Sequence, residues 1–134
     1  MKVLIDTNVL VSTVLNPNGA AASAYTKATS PPFECVICDY VIDEFVRIAT
    51  DKLKLPKQRI DAFVTATKFA AKIIKTPHKY SITSKVSDPK DLPILKAAVK
   101  EKADLLLTGD KPFLATDIKA PRLISPREFL DTAY

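Results

Sequence analysis

The chain has 134 residues, 47% of them hydrophobic and only two of them glycine, which suits one ordered domain with a proper core and excludes a disordered chain. No apolar run approaches the ~20 residues that span a bilayer, and Met1-Lys2 followed by a short apolar run is not a signal peptide, so a cytoplasmic protein without a membrane partner is expected. The net charge of +5 comes from 20 basic and 15 acidic residues, and much of the surplus is gathered in one stretch. Lys52, Lys54, Lys57, Arg59, Lys68, Lys72, Lys75 and Lys79 face Asp61 alone. That reads as a solvated helix face, or as phosphate contacts if an acidic site elsewhere takes a polyanion.

Residues 2–6 read as a first strand, with Val3, Leu4 and Ile5 forming the continuous apolar run of a central parallel strand. Asp6-Thr7-Asn8 interrupts it before Val9, Leu10 and Val11 resume. Asn16-Pro17-Asn18-Gly19 is a turn, and residues 20–30 form a small-residue helix stopped by Pro31-Pro32. Phe33 to Cys38 is a second strand. Asp39 then caps a helix with Val41, Ile42, Phe45, Val46 and Ile48 at helical spacing.

Leu53, Leu55 and Pro56 mark a break before another helix, whose apolar positions are Ile60, Phe63, Val64, Thr67, Phe69 and Ala70. A short strand over 72–76 is followed by a long irregular stretch at 77–90, a length that is often functional. A helix from Asp91 to Lys102, a strand from Asp104 to Leu107, a last strand from Pro121 to Ile124 and a short helix from Pro126 to Leu130 complete the chain. Strand and helix alternate throughout, which implies a parallel sheet covered on both faces. There is no internal repeat, and residues 1–134 read as one domain.

Cys35 and Cys38 make a C-x-x-C with no second pair, beside a single His78. A structural zinc site lacks ligands by simple counting. On a strand, positions three apart point to opposite faces, which disfavours a disulfide. The pair reads as two small buried apolar residues.

Two of the predicted strands run into an aspartate at the same edge of the sheet, Asp6 after the first and Asp110 after Leu105-Leu106-Leu107-Thr108-Gly109. In open α/β sheets ligands bind at that carboxyl edge. A carboxylate there costs several kcal/mol to bury unless it is paired, hydrogen-bonded or bound to a metal. From the helix after the second strand, either Asp43 or Glu44 can join them, because neighbours on a helix point about 100° apart. Asp91 begins the helix leading to the Asp110 strand. Such a cluster raises its own pKa values unless a cation compensates, and hard oxygen donors suit Mg²⁺ or Mn²⁺. Ions of this kind activate water and stabilise the leaving oxygen in phosphodiester hydrolysis. Neither a Ser–His–Asp set nor a glycine-rich phosphate loop is available. Each acid also has a structural reading: Asp39 and Asp91 as caps, Asp88 as an Asx-turn before Pro89, Glu44 as an ion pair with Arg47.

These segments resemble the PIN-domain family of metal-dependent ribonucleases, which includes many toxin components of toxin–antitoxin pairs. Leu4 to Leu10, with its hydrophobic-Asp-Thr-Asn-Val-Leu, is similar to the family's first motif. Cys38 to Phe45 resembles its strand-to-helix motif and selects Glu44 over Asp43. Asp91 to Ala98 is similar to its acid-led helix, Leu106 to Asp110 resembles its fourth motif, and Ser125 to Leu130 is an ending common in one branch. The resemblance implies a three-layer α/β/α sandwich with a central, mostly parallel sheet. It implies a metal-binding and catalytic quartet of Asp6, Glu44, Asp91 and Asp110, with Asn8 and Thr108 holding water or orienting a carboxylate. The cofactor is then Mg²⁺ or Mn²⁺, the substrate RNA and the partners an antitoxin protein and a second copy in a homodimer. Lys52, Lys54, Lys57 and Lys111 become candidates for phosphate contacts.

The chain departs from the family pattern at Pro112, where many members carry a further acid. Fewer ligands there leave a one-metal site open beside a two-metal one, with Asp88 as a candidate compensating acid. A nucleic-acid- or antitoxin-binding module with a degenerate site is the alternative. A haloacid-dehalogenase-like phosphatase is disfavoured, because Asn8 stands where its second acid belongs.

Overall fold

The computed structural model describes residues 1–77 and 89–134, so the expectations at His78, Lys79 and Asp88 lie outside the described residues. Five strands carry the architecture: β1 (Lys2–Ile5), β2 (Glu34–Cys38), β3 (Lys72–Ile74), β4 (Leu105–Leu107) and β5 (Arg122–Ile124). Their order in the sheet is β3-β2-β1-β4-β5, and all four pairings are parallel. Parallel neighbours need crossovers, which the helices supply. These are α1 (Thr7–Leu15), α2 (Ala20–Ala28), α3 (Asp39–Arg47), α4 (Lys57–Ala70), α5 (Asp91–Lys100), α6 (Lys111–Leu114) and α7 (Pro126–Asp131). The result is the expected three-layer α/β/α sandwich.

The central strands are apolar because both faces are covered. Val3, Leu4, Ile5, Val36, Ile37, Leu106 and Leu107 are fully buried, with Leu105 nearly so. Around them α1 packs on α2 and α3, and α2 packs on α7. Cys35 and Cys38 are free and buried in β2, and burial pushes the Cys35 thiol up to about 12. They are core residues, as their strand positions indicate. Among the described residues no helix is long and apolar enough to cross a membrane.

Several boundaries and one helix face differ from the sequence reading. Residues 7–15 form a helix where the sequence suggested only resumed apolar character; Asp6 caps it, accepting from the Thr7 N–H at 2.7 Å. Asp39 is the first residue of α3 and Cys38 its cap. A five-residue π-helical stretch, Ile48–Lys52, extends α3. Phe69, expected among the apolar positions of α4, is 90% exposed. Nine residues beyond the buried Ile60, it lies roughly 180° round the helix from the packed face.

The sheet order decides where a site can be. From β1 the chain moves outward through β2 and β3, then returns to the other side of β1 for β4 and β5. The switch point lies between β1 and β4, and a crevice opens at the carboxyl ends of such strands. The register pairs Ile5 with Leu107, so Asp6 and Thr108 are the next residues out on neighbouring strands.

Candidate active site

A cleft of about 270 Å³ sits at that switch point, and Asp6, Glu44, Asp91 and Asp110 all line it. Four elements place them. Asp6 follows β1 and is held by its own N–H, which donates to the Leu107 carbonyl at 2.9 Å. Asp110 follows β4 and precedes α6. Glu44 projects from α3, and Asp91 is the first residue of α5. Asp6 is 3% and Asp91 7% exposed; Glu44 and Asp110 are half-buried.

A small network fixes Asp6. Oδ1 accepts from the Thr7 N–H at 2.7 Å. Oδ2 accepts from the Thr108 hydroxyl at 2.7 Å and from Asn8 Nδ2 at 3.0 Å. Asn8 Nδ2 also donates to Thr108 Oγ1 at 3.1 Å, and its Oδ1 accepts from the Gly109 N–H at 2.7 Å. The Asp110 N–H donates to Thr108 Oγ1 at 3.1 Å. Thr108 therefore accepts twice and gives its only proton to Asp6, which fills its capacity. Asn8 is equally determined: the Gly109 N–H fixes its oxygen, so its nitrogen must face Asp6. Both side chains thus orient a carboxylate. A Cβ added to Gly109 would come within 3.3 Å of Asn8 Oδ1, so the small residue leaves room for this link.

The hydrogen bonds do not offset the surroundings. Burial pushes the Asp6 carboxyl up to about 6; the Thr108 and Thr7 bonds oppose the rise, while the Glu44 and Asp110 carboxylates add to it. An acid held this way is short of positive charge. Thr7 Oγ1, on a residue of the cleft wall, is buried with no hydrogen-bond partner among the described residues. A hard-oxygen donor set, an under-compensated carboxylate and an orphaned hydroxyl fit a divalent cation. Among the described residues, however, no three ligating groups converge closely enough to hold an ion as they stand. The chemistry fits, and the side chains stand farther apart than one ligand shell.

The other expected residues divide clearly. Asp43 lines a different cavity with Asp39, Tyr40 and Thr76, so the helix turns Glu44 and not Asp43 to the cleft. Glu44 also has its structural pair, Arg47 Nη2 at 3.6 Å, and accepts from the Tyr40 hydroxyl at 3.4 Å. Asp39 tethers the end of β3, accepting from Thr76 N–H at 2.9 Å and Thr76 Oγ1 at 2.6 Å. Lys52, Lys54, Lys57 and Lys111 are exposed, and none of them is among the residues lining the cleft. Among the described residues the lysine that lines it is Lys90, outside the basic stretch that the sequence singled out. Its only sequence signal was its place immediately before Asp91.

The family model for the PIN domain matches residues 2–112. The chain belongs to the PIN-domain family. Among solved structures, a chain of VapBC2 from Rickettsia felis bound to a DNA fragment from their promoter is similar to this PIN domain, with a TM-score of 0.66. The identity is 19%, over 93% of this chain and 97% of that one, a likeness of fold. No curated protein matches the chain. The matched span contains all four carboxylates of the cleft, Asn8 and Thr108.

Proposed function

We propose that this PIN domain is a metal-dependent endoribonuclease that hydrolyses phosphodiester bonds of RNA, and that it is the toxin component of a toxin–antitoxin pair. The observation that carries the reading is the gathering of Asp6, Glu44, Asp91 and Asp110 around one cleft at the switch point, with Asp6 left short of positive charge. PIN domains are generally metal-dependent nucleases, which supports the assignment at family level. The likeness to a chain of a VapBC2 complex supports an antitoxin protein as partner. Cytoplasmic localisation and a homodimer belong to the same proposal.

Asp6, Glu44, Asp91 and Asp110 would hold Mg²⁺ or Mn²⁺. When bound, the ion supplies Lewis-acid charge and lowers the pKa of a water. The residues do the rest. Thr108 and Asn8 hold the Asp6 carboxylate by Oδ2, while Oδ1 accepts, among the described residues, from the Thr7 N–H. Asp6 must be ionised to ligate: the network orients it, and the Thr108 and Thr7 hydrogen bonds oppose the rise in pKa that burial and the neighbouring acids cause. Glu44 or Asp110, both less buried than Asp6, would accept the proton of the attacking water.

The test compares wild type with Asp6→Asn on single-stranded RNA in Mn²⁺. Cleavage removed by both EDTA and the substitution supports the reading; cleavage that survives either one refutes it, as does no cleavage at all. The second reading is a binding module with a degenerate site, favoured by the lack of any three converging ligands among the described residues. Calorimetric titration with Mn²⁺ separates them: a degenerate site gives no heat that depends on Asp6.

A further inference from the structure

The cleft has an electrostatic problem that its carboxylates create. Four acids line it, and a phosphodiester adds another negative charge. One divalent ion would offset only half of the carboxylate charge. A polyanionic strand needs further positive charge close by, and at the surface such charge acts only within about 10 Å before salt screens it. Lys52, Lys54, Lys57 and Lys111 are not among the residues lining this cleft, and Arg47, whose Nη2 is 3.6 Å from Glu44, is paired with that carboxylate.

Lys90 is. It directly precedes α5, with backbone φ −67° and ψ −23°, so its side chain leaves from the same turn that presents Asp91. It is exposed, and it shares the cleft wall with Asp6, Glu44, Asp91 and Asp110. Among the described residues it is the cationic side chain lining this cleft. A lysine ammonium is a compact point charge with three donors and no capacity to ligate a metal. Beside acids alone it would act as a counterion; beside acids and a phosphate it can donate to the phosphate oxygens.

Resting on the ribonuclease reading above, we propose that Lys90 is the substrate-binding residue of this site, holding a phosphate of single-stranded RNA at the carboxylate cleft. This role makes two measurements move differently. Removing Lys90 takes a phosphate contact from RNA, so affinity falls and its salt dependence flattens by about 0.7 in the slope of log K against log salt. The same change removes a positive charge beside the metal ligands, so Mn²⁺ affinity stays level or rises. A Lys90 that merely steadies Asp91 would do the reverse, weakening Mn²⁺ and leaving the RNA slope unchanged.

The experiment uses the full chain in the Asp6→Asn background, which removes cleavage, and a short 5′-fluorescein-labelled single-stranded RNA read by anisotropy over a salt series. Lys90→Gln is expected to bind roughly tenfold more weakly with the flattened slope, and Lys90→Arg to recover most of both. Mn²⁺ titration of Lys90→Gln with Asp6 intact should match wild type or exceed it. An unchanged slope in Lys90→Gln, or a fall in its Mn²⁺ affinity, overturns the assignment. Because binding is measured without catalysis, an intact RNA-cleaving wild type with an unchanged Lys90→Gln slope sinks the Lys90 role alone. Wild type that neither binds nor cleaves RNA sinks both. Circular dichroism of each variant confirms folding, and Lys90→Arg keeps the comparison decisive if Lys90→Gln fails to fold.

Discussion

Replacing Asp6 by Asn should stabilise the metal-free protein, although Asp6 is at the centre of the proposed chemistry. In the folded chain the carboxyl is pushed from its ordinary 3.8 up to about 6, mainly by burial. Each tenfold change in proton affinity is worth about 1.4 kcal/mol, so ionised Asp6 costs the fold about 3 kcal/mol at neutral pH. The sign follows from the raised value. Below the unfolded pKa both states are protonated and nothing is lost. As pH rises toward about 6 the unfolded chain releases the proton first, so wild-type stability falls through that window and is then level.

Asn abolishes this penalty but brings its own. Its Oδ1 keeps the Thr7 N–H, while its Nδ2 replaces Asp6 Oδ2 and faces two donors, Asn8 Nδ2 and the Thr108 hydroxyl. Thr108 Oγ1 already accepts from Asn8 and Asp110 and has no lone pair to offer. That mismatch costs about 1–2 kcal/mol, leaving a net gain of about 1–2 kcal/mol. For a chain of this length the melting temperature should rise by about 5 °C. Thermal unfolding in EDTA at about pH 8 reads it, and the advantage should vanish and reverse near pH 4, where wild-type Asp6 is protonated. Saturating Mn²⁺ should raise the melting temperature of wild type only. An Asp6→Asn protein no more stable than wild type in EDTA at the higher pH would refute the claim that Asp6 is an under-compensated charge.

Glu44→Gln should lower the Asp6 pKa, since the Glu44 carboxylate is one of the groups that raise it; a ¹³C NMR titration of the Asp6 carboxyl in the metal-free protein shows the shift, and an unmoved titration means the two acids do not share a field. At the far side of the molecule, Lys27 Nζ donates to the carbonyls of Phe129 at 2.6 Å and Thr132 at 3.0 Å and lies 4.5 Å from the Phe129 ring centroid. Lys27→Met keeps the stem and removes these contacts, so urea unfolding should show a loss of about 2 kcal/mol. A loss below about 0.5 kcal/mol would mean the ammonium contributes no more than a surface charge.

The sheet was legible because its strands are short apolar runs bounded by breakers, and a buried parallel strand has little choice of pattern. The helix α1 was not, although its start signal stood in plain view. Asp6 reads as a ligand and also acts as the cap, and Val9-Leu10-Val11 carries no polar positions to reveal a helical period. Phe69 misled for the opposite reason: an aromatic residue in an apolar-looking stretch was counted toward the core face, and only its angular distance from Ile60 places it outside. At the site, Asp6 and Asp110 were readable from strand ends alone. Choosing Glu44 over Asp43 needed the family resemblance, because helical geometry says only that the two differ. Which lysine borders the cleft was not legible, because charge density along a sequence says nothing about which face of which element it sits on; Lys52, Lys54, Lys57 and Lys111 do not line it. Lys90 stood alone between Pro89 and Asp91, outside any basic run.

The network around Asp6 ties the fold to the chemistry more tightly than a list of ligands suggests. Asn8 and Thr108 lie a hundred residues apart and meet only because β1 and β4 pair with Ile5 opposite Leu107. A slip of one residue in that pairing would turn Thr108 to the other face of the sheet. Asp6 would then lose its second oxygen's main donor, and Asp110 would lose the hydroxyl that anchors its backbone. The apolar residues of β4 hold the register, since Leu105, Leu106 and Leu107 are all buried. Hydrophobic burial in the strands thus supplies the free energy that keeps an ionised carboxylate where the fold alone would disfavour it. The site is therefore an expected weak point of the metal-free domain, and a bound cation would relieve both the chemical and the structural deficit at once.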